Sequence, residues 1–87
     1  MTVDKTLKQR KAVHGDFKTG AEISQALKQT MDQALEGKEV PAYIRESIDA
    51  ICGKLARIAN GNSFEPDHWH DIQGYARLAE KEVIKEG

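Results

Sequence analysis

Twelve residues near the C-terminus bring together several side chains that could do chemistry. The stretch from Asp67 to Leu78 reads D-H-W-H-D-I-Q-G-Y-A-R-L. Its carboxylates and imidazoles are common metal ligands and proton carriers, and its aromatic rings could stack on a nucleobase. On a helix, His68, Asp71 and Tyr75 would share one face, with Asp67 at the edge of that face. The stretch therefore predicts a helix with a chemically active polar side.

A second line of polar residues comes earlier in the chain. Glu46, Asp49, Gly53 and Arg57 follow one another at helical spacing, and Lys54 lies at the edge of the same face. In an antiparallel hairpin the two polar lines would enclose a cleft. Lys54 and Arg57 could bind phosphates there, whereas the carboxylates of both helices (Glu46, Asp49, Asp67 and Asp71) could hold a divalent cation. The plainer alternative is a solvated face of intrahelical ion pairs.

Three aromatic residues have two interpretations. Trp69 continues an apolar stripe with Ile72 and Ala76, which favours packing in the core. Alternatively Trp69, Tyr75 or Phe17 could stack on a base or form a wall of the binding site.

The segment His14-Gly15 could be a simple turn before the second helix. The alternative is an anion site, in which His14 and Lys18 act together with free amides at Thr19 and Gly20, since helix N-termini attract anions.

Gly53 and Gly74 both fall inside predicted helices, where glycine is destabilising by about 1 kcal/mol relative to alanine. Their positions predict either a close approach of two helices or a ligand that rests on the backbone.

These polar lines need helices to position them, and the apolar spacing predicts four. Thr19 and Glu22 fit a capping box, Pro41 and Pro66 suit first turns, and Asn60-Gly61 fits a left-handed C-cap. No segment alternates as a half-buried strand would. We therefore predict one all-α domain over residues 1–87, a compact four-helix bundle with helices at about 2–13, 20–36, 41–60 and 66–85.

Composition narrows the classes of function. The 13 basic and 14 acidic side chains argue against a duplex nucleic-acid binder, which must neutralise many phosphates. With only 39% hydrophobic residues, a ligand pocket would need walls from more than one subunit, so we expect a homo-oligomer. No run approaches the about 18 apolar residues of a membrane span, no leader pattern is present, and the single Cys52 excludes an internal disulfide. We expect a cytoplasmic protein without a membrane partner.

Three motifs carry a resemblance. H-G-D-F (14–17), K-L-A-R-I-A-N-G (54–61) and D-H-W-H-D-I-Q-G-Y-A-R-L (67–78) resemble a family of small, mostly uncharacterised bacteriophage proteins, over about residues 10 to 80. A phage origin would place the protein in the host cytoplasm. By analogy with phage anti-defence sponges, it implies an oligomer that sequesters a cyclic nucleotide or a related immune second messenger.

The same order of parts is distantly similar to the MazG-like all-α nucleoside triphosphate pyrophosphohydrolases. Their E-x-x-E and E-x-x-D helices bind magnesium, and the nearest equivalents here are Glu46-x-x-Asp49 and His68-x-x-Asp71. Asp49 is a shorter carboxylate, and the imidazole of His68 is a poor magnesium ligand. The resemblance thus favours nucleotide binding without cleavage, and such binding would require no cofactor.

These observations leave three functional hypotheses. The first is capture of a phosphate-bearing nucleotide by a set of ligand-binding residues: His14, Phe17, Lys18, Lys54, Arg57, His68, Trp69 and Tyr75. The second is a pyrophosphohydrolase that uses Mg or Mn at Glu46, Asp49, Asp67 and Asp71. The third is a helical protein-interaction module whose polar face contacts a partner.

Overall fold

A computed structural model describes residues 3–86, and its regular structure consists of four helices. They are α1 (Val3–His14), α2 (Phe17–Ala34), α3 (Ala42–Asn60) and α4 (Pro66–Glu86). The described range contains no strand, so the predicted all-α four-helix bundle is confirmed. Within that range no helix is both long enough and apolar enough to cross a membrane.

The start of α2 differs from the prediction. Asp16 is the N-cap, and its carboxylate accepts hydrogen bonds from the backbone N–H and the hydroxyl of Thr19, both at 3.1 Å. The helix therefore begins at Phe17, and the predicted cap at Thr19 is wrong. A carboxylate at the N-cap pairs with a backbone amide that would otherwise lack a partner. This is the function that was predicted for Thr19.

Helix α3 is the centre of the bundle. Helices α2 and α4 both pack along it, and α1 packs on α2 and α3. Within residues 3–86, α2 and α4 do not pack against each other. The bundle is consequently open on one side and elongated, with principal extents of 46 × 25 × 23 Å.

The two turns at one end of the bundle are bound together. Asn60 donates a side-chain hydrogen bond to the carbonyl oxygen of Asp16 at 2.8 Å, and the Asn62 amide donates to Val13 at 2.9 Å. Gly61 does not adopt the predicted left-handed conformation, since its φ is −116°. Glycine is needed there because a Cβ atom would overlap the Val13 carbonyl oxygen and lie 2.5 Å from the carbonyl carbon of His14. These contacts fix the end of α1 against the α3–α4 connection.

Few side chains are fully buried. Among the described residues only Cys52 and Ala56 are buried apolar side chains, and His68 is the only buried polar one. The core prediction for Trp69 is wrong, because 49% of this residue is exposed. Its indole N–H donates to the Ser63 carbonyl oxygen at 2.9 Å, which holds the ring over the α3–α4 connection.

Candidate functional site

Two cavities adjoin where α1 crosses α3. The first, which we call the histidine cleft, has a volume of 590 Å³ and lies between α1, α3 and α4. Its charged and imidazole side chains are Arg10, His14, Lys54, Arg57, Glu65, Asp67, His68 and Asp71.

The second cavity lies between α1, α2 and α3 and has a volume of 810 Å³. We call it the basic groove. Four cationic side chains line it against the single carboxylate of Asp16: Arg10, Lys11, Lys28 and Arg57. Four cations face one carboxylate, so the groove has a net positive charge.

Arg10, His14 and Arg57 line both cavities and form the junction between them. Within residues 3–86, neither guanidinium group has an ion-pair or hydrogen-bond partner. Each is therefore available to bind an anion through its planar set of N–H donors.

His14 faces His68 at this junction. The ring centroids are 5.1 Å apart, and His68 Nε2 lies 3.4 Å from the Val13 carbonyl oxygen. His14 Nδ1 is buried without a hydrogen-bond partner in the described part of the chain. Burial lowers the pKa of His14, and the nearby charges of Arg57, His68, Lys54 and Arg10 lower it further. The lowered pKa favours the uncharged imidazole in the free protein, and an incoming anion would favour its protonation.

Lys54 is engaged in an ion pair. Its Nζ lies 2.7 Å from Asp71 Oδ2, and only 16% of the lysine side chain is exposed. The hydrogen bond from Lys54 lowers the pKa of the Asp71 carboxyl. In the histidine cleft the three cations Arg10, Lys54 and Arg57 are balanced by three carboxylates. The basic groove is therefore better suited to an anion than the cleft.

The predicted metal ligands do not come together. Asp67 and Asp71 line the histidine cleft, whereas Glu46 and Asp49 line neither cavity. The pairing of Lys54 with Asp71 fixes the register of α3 against α4, and Asp49 lies about 7.5 Å further along the α3 axis. Among the described residues no three His, Cys, Asp or Glu side chains are placed to hold a metal ion.

The remaining predicted ligand-binding residues divide between the two cavities and the outer surface. Phe17 lines the basic groove and is 88% exposed, but Lys18, Trp69 and Tyr75 line neither cavity. His68 lines the cleft but is only 1% exposed, so its ring is mainly part of the packing beneath His14.

The free amides that were predicted for an anion site at the start of α2 are both paired. The Thr19 amide donates to the Asp16 carboxylate, and the Gly20 amide donates to the Asp16 carbonyl oxygen at 2.9 Å. Because the capping residue already satisfies both amides, they cannot serve as anion donors in this conformation.

Sequence reasoning missed three cations of the basic groove: Arg10, Lys11 and Lys28. A signal was present in α1, because Leu7, Arg10 or Lys11, and His14 recur at spacings of three and four and so share one helical face.

No protein-family model, curated protein or solved structure matches the chain. The candidate site therefore depends on its own geometry.

Proposed function

We propose that the protein binds a phosphate-bearing nucleotide in the basic groove, with the phosphates at the junction of the two cavities. One observation carries the proposal. Arg10 and Arg57, whose guanidinium groups have no ion-pair or hydrogen-bond partner within residues 3–86, line the cationic groove together with His14, whose Nδ1 is buried and unpaired in the same range.

The phosphate end of the ligand would satisfy groups that are unpaired in the free protein. A guanidinium binds two phosphate oxygens at once, and charge-assisted hydrogen bonds of this kind contribute about 1.5–3 kcal/mol each. A buried polar nitrogen without a partner costs about 1–3 kcal/mol, so a phosphate oxygen near His14 Nδ1 would remove that cost when this nitrogen carries the proton. Lys11 and Lys28 would add charge at longer range.

The base end of the ligand would contact the apolar part of the groove. Leu7 and Phe17 line the groove and are 57% and 88% exposed, so both have surface to cover. Stacking of a base on an aromatic ring contributes about 1–3 kcal/mol. The volume of 810 Å³ falls in the range of about 300–1,000 Å³ that is usual for small-molecule sites.

The separation of the four carboxylates supports capture over hydrolysis. Magnesium-assisted attack on a phosphate chain needs several oxygen ligands around one ion. Glu46 and Asp49 lie outside both cavities, and Asp71 is paired with Lys54. The finer proposal is that the ligand is held intact, as the resemblance to phage proteins implies, and that cyclic nucleotides are the first candidates.

Calorimetric titration tests the proposal with a panel of cyclic mononucleotides, cyclic dinucleotides, ADP-ribose and deoxynucleoside triphosphates, in EDTA and in Mg²⁺. We expect at least one compound to bind in EDTA and to be recovered unchanged. Arg57→Ala should weaken that binding about tenfold to a hundredfold, the loss of one charge-assisted contact. Arg77→Ala is the matched control, because Arg77 pairs with Glu80 on the exposed side of α4 and lines neither cavity.

Two outcomes would contradict this account. If no compound in the panel binds, the groove is not a nucleotide site. Release of pyrophosphate in Mg²⁺, with loss of that activity in Glu46→Ala, would instead establish the hydrolase.

A further inference from the structure

We infer that the protein forms a homodimer through an apolar face on the open side of the bundle. The face consists of Ile48, Ile51 and Leu55 on α3 together with Trp69, Ala76 and Val83 on α4. The inference does not depend on the proposed nucleotide site.

Incomplete burial of the α3 stripe is the first observation. Ile48, Ile51 and Leu55 recur at spacings of three and four and form an apolar stripe on α3, yet Ile48 and Ile51 are only half-buried and Leu55 is 40% exposed. In a bundle that completed its core within one chain, the central helix would bury these side chains.

Helix α4 continues the same face. Trp69, Ala76 and Val83 recur every seven residues, which is the spacing of a helix-pairing seam, and all three are exposed. The Ser63 hydroxyl donates to the Ile58 carbonyl oxygen, and the Trp69 indole donates to Ser63, so the start of this seam lies beside the end of α3. The α3 stripe and the α4 seam therefore adjoin.

The chain as a whole exposes more surface than a typical compact monomer. The chain exposes 6561 Å², whereas a folded monomer of 9.7 kDa should expose about 5,100 Å². The excess over the whole chain, about 1,500 Å², is larger than the roughly 800 Å² that each partner buries in a typical stable interface, so there is enough exposed surface for a dimer. The radius of gyration of 14.9 Å is likewise larger than the about 12 Å expected for this length.

A second copy is the occupant that fits this chemistry. The six residues of the face are uncharged, so the face offers no charge pattern that would select a different protein. An apolar patch that meets itself across a two-fold axis is complementary to itself without further requirements.

The dimer face and the basic groove lie on opposite sides of α3. Leu55 and Arg57 are two residues apart, which separates them by about 200° around the helix axis. A substitution in the dimer face can therefore abolish dimerisation and leave ligand binding intact. A substitution of Arg57 can weaken ligand binding and leave the dimer intact.

Light scattering coupled to size exclusion tests the inference on the full chain at micromolar concentration. We expect a mass twice the 9.7 kDa of one chain, and about half that measured mass for Leu55→Lys. Leu78→Lys is the matched control, because Leu78 is 61% exposed but lies outside the face, and this variant should remain a dimer.

Circular dichroism establishes whether each variant stays helical. If Leu55→Lys unfolds, the variants Val83→Lys and Ile84→Lys test the dimer instead. Only Val83→Lys should dissociate, because Val83 belongs to the face, although Ile84 is the more exposed residue. A monomeric wild-type protein, or equal dissociation by a variant of the face and its control, would overturn the inference.

Discussion

Gly15→Ala should lower the free energy of unfolding by about 2 to 5 kcal/mol, a large part of the stability of a domain this small. Two effects add at this position. Gly15 has a φ of +82°, where an L side chain costs about 1–2 kcal/mol. A Cβ atom would also overlap the Asn60 carbonyl group, whose carbon lies 2.7 Å away. The substitution would force apart the two turns that hold α1 on the bundle.

Gly37→Ala separates these two effects. Gly37 has the same φ of +82°, but a Cβ atom there would have no atom of the described residues within 4 Å. Gly37→Ala should therefore lower the free energy of unfolding only by the conformational strain, about 1–2 kcal/mol. Urea unfolding followed by circular dichroism measures both variants. Equal losses of stability would contradict the close contact between the two turns.

The second large effect is expected at Gly53. This residue lies in the middle of α3 and lines the basic groove, and the space beyond its Cα is open. A leucine would extend into that space and compete with the ligand. We expect Gly53→Leu to weaken nucleotide binding by one to two orders of magnitude, which corresponds to about 1–3 kcal/mol of binding free energy.

Gly74→Leu is the control for Gly53→Leu. Gly74 is also inside a helix and also faces open space, but it lines neither cavity. Replacing either glycine should raise helix propensity by about 1 kcal/mol, so neither variant should be less stable than the wild-type protein. Titration calorimetry on both proteins compares the affinities. The groove would be the wrong site if Gly74→Leu lost binding and Gly53→Leu kept it.

The sequence predicts the helices well because the spacing of apolar residues and the residues typical of helix ends indicate the same segments. Pro41 and Pro66 lie at the predicted starts of α3 and α4, and both helices end within about a residue of the prediction. The predicted start of α2 is wrong because Thr19 and Glu22 also fit a capping box, although the helix begins earlier, at Phe17. Tertiary contact favours Asp16, since Asn60 binds its carbonyl oxygen and fixes the turn.

The site could be predicted only in part. Helical spacing defines which residues share a face, but it does not show which face meets the neighbouring helix. Adjacent residues differ by 100° around the helix axis, and this explains how His68 is buried while Trp69 is half-exposed. The sequence allows two explanations for Gly53 and Gly74, a close approach of two helices or a ligand on the backbone. In the described part of the chain neither glycine makes a close helix contact, so the first explanation is wrong.

Lys54 shows a second limit of prediction from sequence. A lysine on a polar face could bind a phosphate or pair with a carboxylate, and only the register of α3 against α4 places Asp71 within 2.7 Å. The basic groove, similarly, depends on where α1 crosses α3. The short apolar repeat of α1 gives little indication of that crossing.

The backbone amides of the glycines report on whether the basic groove binds a phosphate-bearing nucleotide. Gly15, Gly20 and Gly53 line the groove, whereas Gly37 and Gly74 lie away from it. In a ¹⁵N–¹H correlation spectrum titrated with cyclic nucleotides, cyclic dinucleotides, ADP-ribose and deoxynucleoside triphosphates, a ligand should shift the first three amides and leave the other two in place. If no nucleotide shifts any of these amides, or if Gly37 and Gly74 shift instead, the basic groove is not the nucleotide site.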